Sequence, residues 1–230
     1  MKNLVVLTGA GISAESGIRT FRDENGLWEG HDVMEVASPD GFKNNPSLVL
    51  DFYNQRRAQL KEVRPNDAHY CLAGLERNFN VDIITQNVDD LHERAGSSKI
   101  LHLHGELLKA RGSRQSSKVV DCTGDIALGN LATDGSQLRP AIVWFGEEVP
   151  AMETAIDIVG RADILMIVGT SLQVYPAAGL MDYAPPSTPI YLIDPRPATT
   201  ATDRITVIEE NATVGIPLAA DLIYSRYYEL

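Results

Sequence analysis

Gly9, Gly11 and Ala14 follow the apolar run Leu4–Leu7 in the spacing Gly-x-Gly-x-x-Ala. At a strand-to-helix turn, this spacing lets the backbone bend sharply and approach a pyrophosphate with no Cβ in the way. The N–H groups at the helix start then face the phosphates. Glycines at such a turn also occur for turn geometry alone. The continuation is unlike a hydride-transfer site: the chain turns polar through Arg19, Thr20, Phe21, Arg22 and Asp23. That suits a nucleotide site with chemistry of its own.

Five further constellations carry reactive or hydrogen-bonding groups. Thr85-Gln86-Asn87-Val88-Asp89-Asp90-Leu91-His92 follows the apolar run Val81–Ile84, and the C-terminal ends of strands are where open α/β sheets bind ligands. Gln86, Asn87 and Asp89 could read a carboxamide or ribose hydroxyls, while Asp89 and Asp90 also suit helix capping. His102 and His104 share a face in an extended strand, so a metal pair is conceivable, but zinc needs further ligands and none is near in sequence. His104, beside Gly105, suits a general base, because its pKa lies near working pH; a structural role fits it equally. Gly169-Thr170-Ser171 offers hydroxyls and N–H groups at another strand end. Trp144-Phe145-Gly146-Glu147 could present a backbone edge to an extended peptide. Tyr53 and Arg56 lie three apart on a candidate helix, either as a solvated face with Arg57 and Lys61 or as a phenol and guanidinium gripping a carboxylate.

The elements that must position these groups alternate. Strand candidates are Leu4–Leu7, Val81–Ile84, Ile100–Leu103, Ala141–Phe145, Ile164–Val168, Ile190–Ile193 and Thr206–Ile208. Helical patterns follow the Asn66-Asp67 cap, run from about Pro150 to Ala162, and close the chain from about Ile216 to Tyr227. The fold class expected is α/β, a Rossmann-like parallel sheet with helices on both faces. Residues 1–23, 65–105 and 140–230 would form this unit. A smaller domain would come from two insertions: 24–64, with a helix from Pro46 to about Lys61, and 106–139. The second is poor in large apolar residues and should lean on the main unit or stay loose.

Net charge is −11 over 230 residues, which argues against nucleic acid as partner. No apolar run approaches a membrane span or a signal peptide. Cys71 and Cys122 match no disulfide framework, so a reducing cytoplasm is expected.

In this order the segments GAGIS-AESGI with TFRD, TQNVDDLH, HLHGEL, RPAIVWFGE and GTSLQVYP resemble the sirtuins, the NAD-dependent protein-lysine deacylases. The resemblance spans nearly the whole chain. It implies that Gly9, Ala10, Gly11 and Glu15 meet the NAD phosphates and adjoining ribose, and that Thr20, Phe21 and Arg22 flank the glycosidic bond. Gln86, Asn87, Val88 and Asp89 would hold the nicotinamide and its ribose. Gly169, Thr170, Ser171, Asp194 and Ala212 would take the adenosine side. His104 would be the base. The acyl oxygen of the substrate lysine would displace nicotinamide, and His104 would activate a ribose hydroxyl to attack the imidate carbon. NAD is consumed, giving nicotinamide, free lysine and O-acyl-ADP-ribose. An acyl-lysine peptide would add beside Val143, Phe145, Gly146 and Glu147, and a monomer is expected.

Thr20, Ala37, Tyr53 and Arg56 resemble class III sirtuins, implying succinyl- or malonyl-lysine as favoured substrates, with acetyl also accepted. Two departures stand out. Only Cys122 lies where most sirtuins carry two cysteine pairs, so no zinc is expected. Asp194 replaces a usual Asn, and a carboxylate can still accept from ribose hydroxyls. An ADP-ribosyltransferase or NAD hydrolase on the same scaffold, or a non-catalytic acyl-lysine binding module, are the alternatives.

Overall fold

The computed structural model describes residues 1–19, 27–28, 30–114 and 117–227. In chain order the strands are β1 (Asn3–Thr8), β2 (Leu27–Trp28), β3 (His31–Asp32), β4 (Asn80–Thr85), β5 (Ile100–His102), β6 (Gly105–Gly112), β7 (Val120–Asp121), β8 (Leu138–Ile142), β9 (Ile164–Val168), β10 (Ile190–Ile193) and β11 (Ile205–Ile208). The helices are α1 (Gly11–Ala14), α2 (Val33–Val36), α3 (Pro39–Asn44), α4 (Pro46–Glu62), α5 (Asp67–Leu75), α6 (Leu91–Ala95), α7 (Met152–Val159) and α8 (Ala212–Tyr227), with a 3-10 helix at Ala177–Tyr183.

Six strands form one parallel sheet in the order β11-β10-β9-β1-β4-β5. Its central strands are largely buried on both faces, which is why they read as mainly apolar runs, with Asp82 of β4 only half-buried. Alternate residues of β1 serve opposite cores. Leu4 and Val6 join the side covered by α5 and α8, whereas Val5 and Leu7 join the side covered by α7 and the 3-10 helix. The fold is therefore the expected Rossmann-like α/β architecture. From β1 the chain builds outward through β4 and β5, then returns to β9 on the other side of β1. The crevice beyond β1 and β9 is the topological switch point, where such sheets bind ligands.

The Ala141–Phe145 run behaves differently from expectation. The strand is Leu138–Ile142, and it pairs antiparallel with β6 in a separate three-stranded sheet of order β7-β6-β8. The ladder shifts register between Glu106 and Ala110. Beyond Ile142 the chain turns: Glu147 N donates to the Trp144 carbonyl at 3.0 Å, and Gly146 takes φ 91°.

Residues 106–139 lean on α4. Ile126 packs with Leu50 and Ala110, and its N–H and carbonyl bond the Asn54 side chain at 2.9 and 3.1 Å. Arg57, read as a neighbour on a solvated face, is instead buried. Its Nε donates to the Leu107 carbonyl at 3.1 Å and its Nη1 to Asn54 Oδ1 at 2.9 Å. Burying a guanidinium is costly unless its donors are bonded; here the Nε bond clasps α4 to β6, the Nη1 bond stays within α4, and Nη2 finds no partner among the described residues. No helix among the described residues is long and apolar enough to cross a membrane.

Candidate active site

A cleft of about 450 Å³ opens at the switch point, within the range of small-molecule sites. Its wall contains Gly9, Ala10, Gly11, Gln86, Asn87, Val88, Asp89 and His104, together with Gly169, Thr170, Ser171, Asp194 and Ala212. Ala37, Tyr53, Val143, Phe145, Gly146 and Glu147 line it too. Two residues in the expected set fall elsewhere. Glu15 is not in the wall; its carboxylate accepts from Thr213 Oγ1 at 2.7 Å and Thr213 N at 3.2 Å, at the start of α8. Arg56 lines an adjoining side pocket of about 50 Å³ that shares Tyr53, Trp28, Val88 and Asp89 with the cleft. Thr20, Phe21 and Arg22 lie outside the described residues.

The glycine turn is packed against its neighbour. A Cβ on Gly11 would stand 2.6 Å from Gly169 Cα, and one on Gly9 would stand 2.8 Å from the Gly169 carbonyl oxygen. The glycines therefore let the turns after β1 and β9 touch. Gly11 N donates to the Gly169 carbonyl at 2.9 Å, and Gln86 Nε2 bonds Thr170 Oγ1 at 3.1 Å. Gly11→Ala should cost about 1–3 kcal/mol of stability through overpacking. Denaturant melts without nucleotide should show this loss in full; a loss appearing only with nucleotide present would contradict it.

Ser13 organises the amide and carboxylate cluster, a role that its place inside the GAGIS segment did not reveal. Its hydroxyl donates to Asp89 Oδ2 at 3.0 Å and accepts from Asn87 Nδ2 at 3.1 Å. Asp89 Oδ1 accepts from Leu91 N at 3.1 Å, the first N–H of α6, while the N-cap position is Asp90, whose side chain makes no cap bond. Burial raises the Asp89 pKa, against the lowering pull of these two donors.

His104 Nδ1 lies 3.1 Å from the Gln86 carbonyl. A carbonyl only accepts, so Nδ1 carries the proton and Nε2 is left as the basic nitrogen. Burial lowers the His104 pKa below its ordinary value, with the Gln86 bond acting the other way, so the ring is neutral at pH 7. His104 also shares a peptide group with the opposite wall, since Val143 N donates to its carbonyl at 2.8 Å. His102 is different. It faces two acceptors, the Asn87 carbonyl at 3.1 Å and Glu93 Oε1 at 2.7 Å. Burial alone would lower its pKa, but the Glu93 bond and charge outweigh this and raise it. His102 thus holds Asn87 in place rather than a metal. Among the described residues, no group of three or more His, Cys, Asp or Glu is placed to hold a metal ion.

Behind the glycine turn lies a buried histidine pair, His69 and His92, with ring centroids 5.0 Å apart. Asn66 caps α5 as expected, accepting from Ala68 N at 3.0 Å and donating to the Ile12 carbonyl at 2.8 Å. Thr8 Oγ1 donates to Thr85 Oγ1 at 2.8 Å and sits 3.1 Å from His92 Nε2. Burial drives His69 to about 4 and His92 to about 3 from 6.5. The unfolded chain then binds more protons than the native one below pH 6.5, so stability falls as pH falls from there toward 4 and 3. At pH 5 each histidine costs roughly 2 kcal/mol, at about 1.4 kcal/mol per pH unit. The raised His102 pKa acts in the opposite sense. Melts between pH 7 and 5 should therefore show a slope that flattens in the His69→Gln/His92→Gln double variant.

On the wall formed by Val143 to Glu147, Glu147 is fully engaged. It accepts from Arg139 at 2.7 and 3.0 Å, from Arg111 at 3.3 Å and from Trp144 N at 2.8 Å. Burial alone would raise its pKa, but these donors and the guanidinium charges lower it. Tyr53, read as one half of a carboxylate grip, is 1% exposed, so it is no part of a solvated face.

The sequence profile of the Sir2 family matches residues 9–176. A Helicobacter pylori (strain ATCC 700392 / 26695) protein named NAD-dependent protein deacylase is 65% identical over 196 residues, covering 85% of this chain and 86% of its own. A Bacteroides thetaiotaomicron protein of the same name is 56% identical over 223 residues, covering 94% of this chain and 95% of its own. Among solved structures, a Sir2 homologue in complex with NAD aligns with a TM-score of 0.83 at 36% identity, covering 98% of this chain and 90% of the other. Sir2 bound to acetylated peptide aligns with a TM-score of 0.75 at 29% identity, covering 97% and 92%.

Proposed function

The chain belongs to the Sir2 family, and from that membership we propose that it is an NAD-dependent protein deacylase. The observation carrying this is the position of His104. Its unprotonated Nε2 belongs to a neutral ring in the wall of the same cleft as the glycine turn and the Gln86–Asp89 cluster. The residues fit NAD: Gly9 and Gly11 leave the turn without Cβ atoms, and the Ser13-ordered Asn87 and Asp89 present amide and carboxylate groups. NAD, when bound, supplies a glycosidic bond whose rupture releases nicotinamide. Gly9, Ala10 and Gly11 would hold its phosphates, Gln86 to Asp89 the nicotinamide ribose, and Gly169 to Ser171, Asp194 and Ala212 the adenosine side. His104 would take a proton from a ribose hydroxyl at Nε2, while the Gln86 carbonyl keeps the ring in the required tautomer.

The substrate is an acyl-lysine side chain, and acidic acyl groups such as succinyl and malonyl are favoured. Support comes from Tyr53 at the junction of cleft and side pocket, Arg56 in that side pocket, and small Ala37 in the cleft wall. A panel of acyl-lysine peptides assayed with NAD tests both levels of this reading. Nicotinamide release that ignores the peptide would favour an NAD hydrolase instead.

No structural zinc is needed here. Cys122 is the one cysteine between residues 106 and 139, and its Sγ lies 3.5 Å from the Gly124 carbonyl. One thiolate cannot complete a tetrahedral zinc site. Metal analysis of protein purified without chelator should find zinc far below one per chain; a stoichiometric content would overturn this.

A further inference from the structure

We infer that Trp144 is a specificity-determining positioning residue that acts through Tyr53, by fixing the direction in which the Tyr53 hydroxyl donates. The inference rests on the acidic-acyl reading above and adds a residue to it. Trp144 Nε1 donates to the Tyr53 hydroxyl oxygen at 2.9 Å, between rings that are 2% and 1% exposed. An indole N–H is a donor only, so it can occupy a lone pair of the phenol and never compete for its proton. The Tyr53 O–H is thereby turned away from Trp144 and has no acceptor among the described residues. Its ring lies at the wall shared by the cleft and the Arg56 side pocket. An anionic acyl end placed there would receive a neutral hydroxyl donor from Tyr53 and a charged fork from Arg56. Burial pushes the Tyr53 pKa up, so the phenol keeps its proton and remains a donor.

Trp144 is itself held by two contacts whose partners are bonded to each other. The Arg139 guanidinium carbon lies 3.2 Å from the centre of its ring, its backbone N–H donates to Glu147 Oε2 at 2.8 Å, and Arg139 is bonded to the same carboxylate. The Trp144 and Tyr53 rings lie 6.3 Å apart at 27°. The peptide wall and the acyl pocket therefore share a single rigid relay, Glu147–Arg139–Trp144–Tyr53. Loss of the indole donor frees the phenol to rotate its O–H, and a preorganised donor is worth more than one that must be ordered on binding.

The test measures kcat and KM with NAD on succinyl- and acetyl-lysine versions of one peptide. It compares wild type with Trp144→Phe, Tyr53→Phe and the double variant, with the fold of each checked by circular dichroism. The succinyl-to-acetyl ratio of kcat/KM should fall about tenfold in Trp144→Phe, mainly through succinyl KM. The double variant should fall no further than Tyr53→Phe alone. An unchanged ratio in Trp144→Phe, equal losses on both peptides, or additive losses in the double variant would overturn the inference and leave the acyl reading standing. Should Trp144→Phe fail to fold, a Tyr53→Phe enzyme that keeps the wild-type ratio overturns it as well. A wild type with no preference for succinyl overturns the acyl reading and this inference with it.

Discussion

Replacing His104 by alanine should lower kcat for acyl-lysine turnover by roughly 10²- to 10⁴-fold, the usual contribution of a positioned general base. The loss should fall unevenly along the reaction. In the proposed reaction, displacement of nicotinamide by the acyl oxygen would need no base, whereas attack by a ribose hydroxyl would. Exchange of labelled nicotinamide into NAD in the presence of acyl-peptide should therefore survive far better than formation of O-acyl-ADP-ribose. Equal loss of both would assign His104 a binding or structural role. The pH profile supplies an independent check. Burial lowers the His104 pKa, so the imidazole stays unprotonated to below its ordinary 6.5. The acid limb of kcat/KM should accordingly lie below pH 6.5, and a limb at or above that value would contradict the buried, carbonyl-bonded ring.

Arg56→Met should cut the succinyl-to-acetyl preference roughly 10- to 150-fold, corresponding to about 1.5–3 kcal/mol for a hydrogen bond to a charged group. Methionine keeps much of the side-chain length and removes the guanidinium, together with its position 5.2 Å from the Phe52 ring centre. Acetyl-lysine carries no group to meet the guanidinium, so its turnover should move much less. Kinetics on paired peptides reads the effect directly. If the preference is unchanged, acyl recognition lies elsewhere in the cleft.

The parts of the fold legible in the sequence were those whose signal is local. Val81–Ile84, Ile164–Val168 and Ile190–Ile193 announce buried parallel strands, because burial on both faces favours apolar residues, the half-buried Asp82 being the exception. The Asn66 cap is legible because a short polar side chain before an apolar helical pattern has few other uses. β6 was not legible: Glu106, Lys109 and Arg111 interrupt its apolar residues, and the bulge between Glu106 and Ala110 breaks strict alternation. Ala141–Phe145 was shifted because apolarity continues past Ile142 into the turn, where Trp144 is buried by side-chain packing instead of by a ladder. In the site, the glycine turn and the strand-end clusters were visible as composition. Ser13 and Trp144 acquire roles only through partners 76 and 91 positions away, which no local pattern encodes. Glu15 illustrates the converse, since a residue within the nucleotide segment spends its carboxylate on Thr213.

The hydrogen bond from Val143 N to the His104 carbonyl makes registration part of folding. His104 and Val143 face each other at the end of one antiparallel ladder, one step beyond the pair Gly105 and Ile142. Gly105 takes φ 78°, with no room for a Cβ against the Ala141 carbonyl. A slip of one residue would carry the wall about 3.4 Å past the imidazole and exchange its inward and outward side chains. The spacing between His104 and the Val143 wall is thus settled once, when β6 and β8 pair, and under the proposed function an incoming peptide would meet a gauge already set.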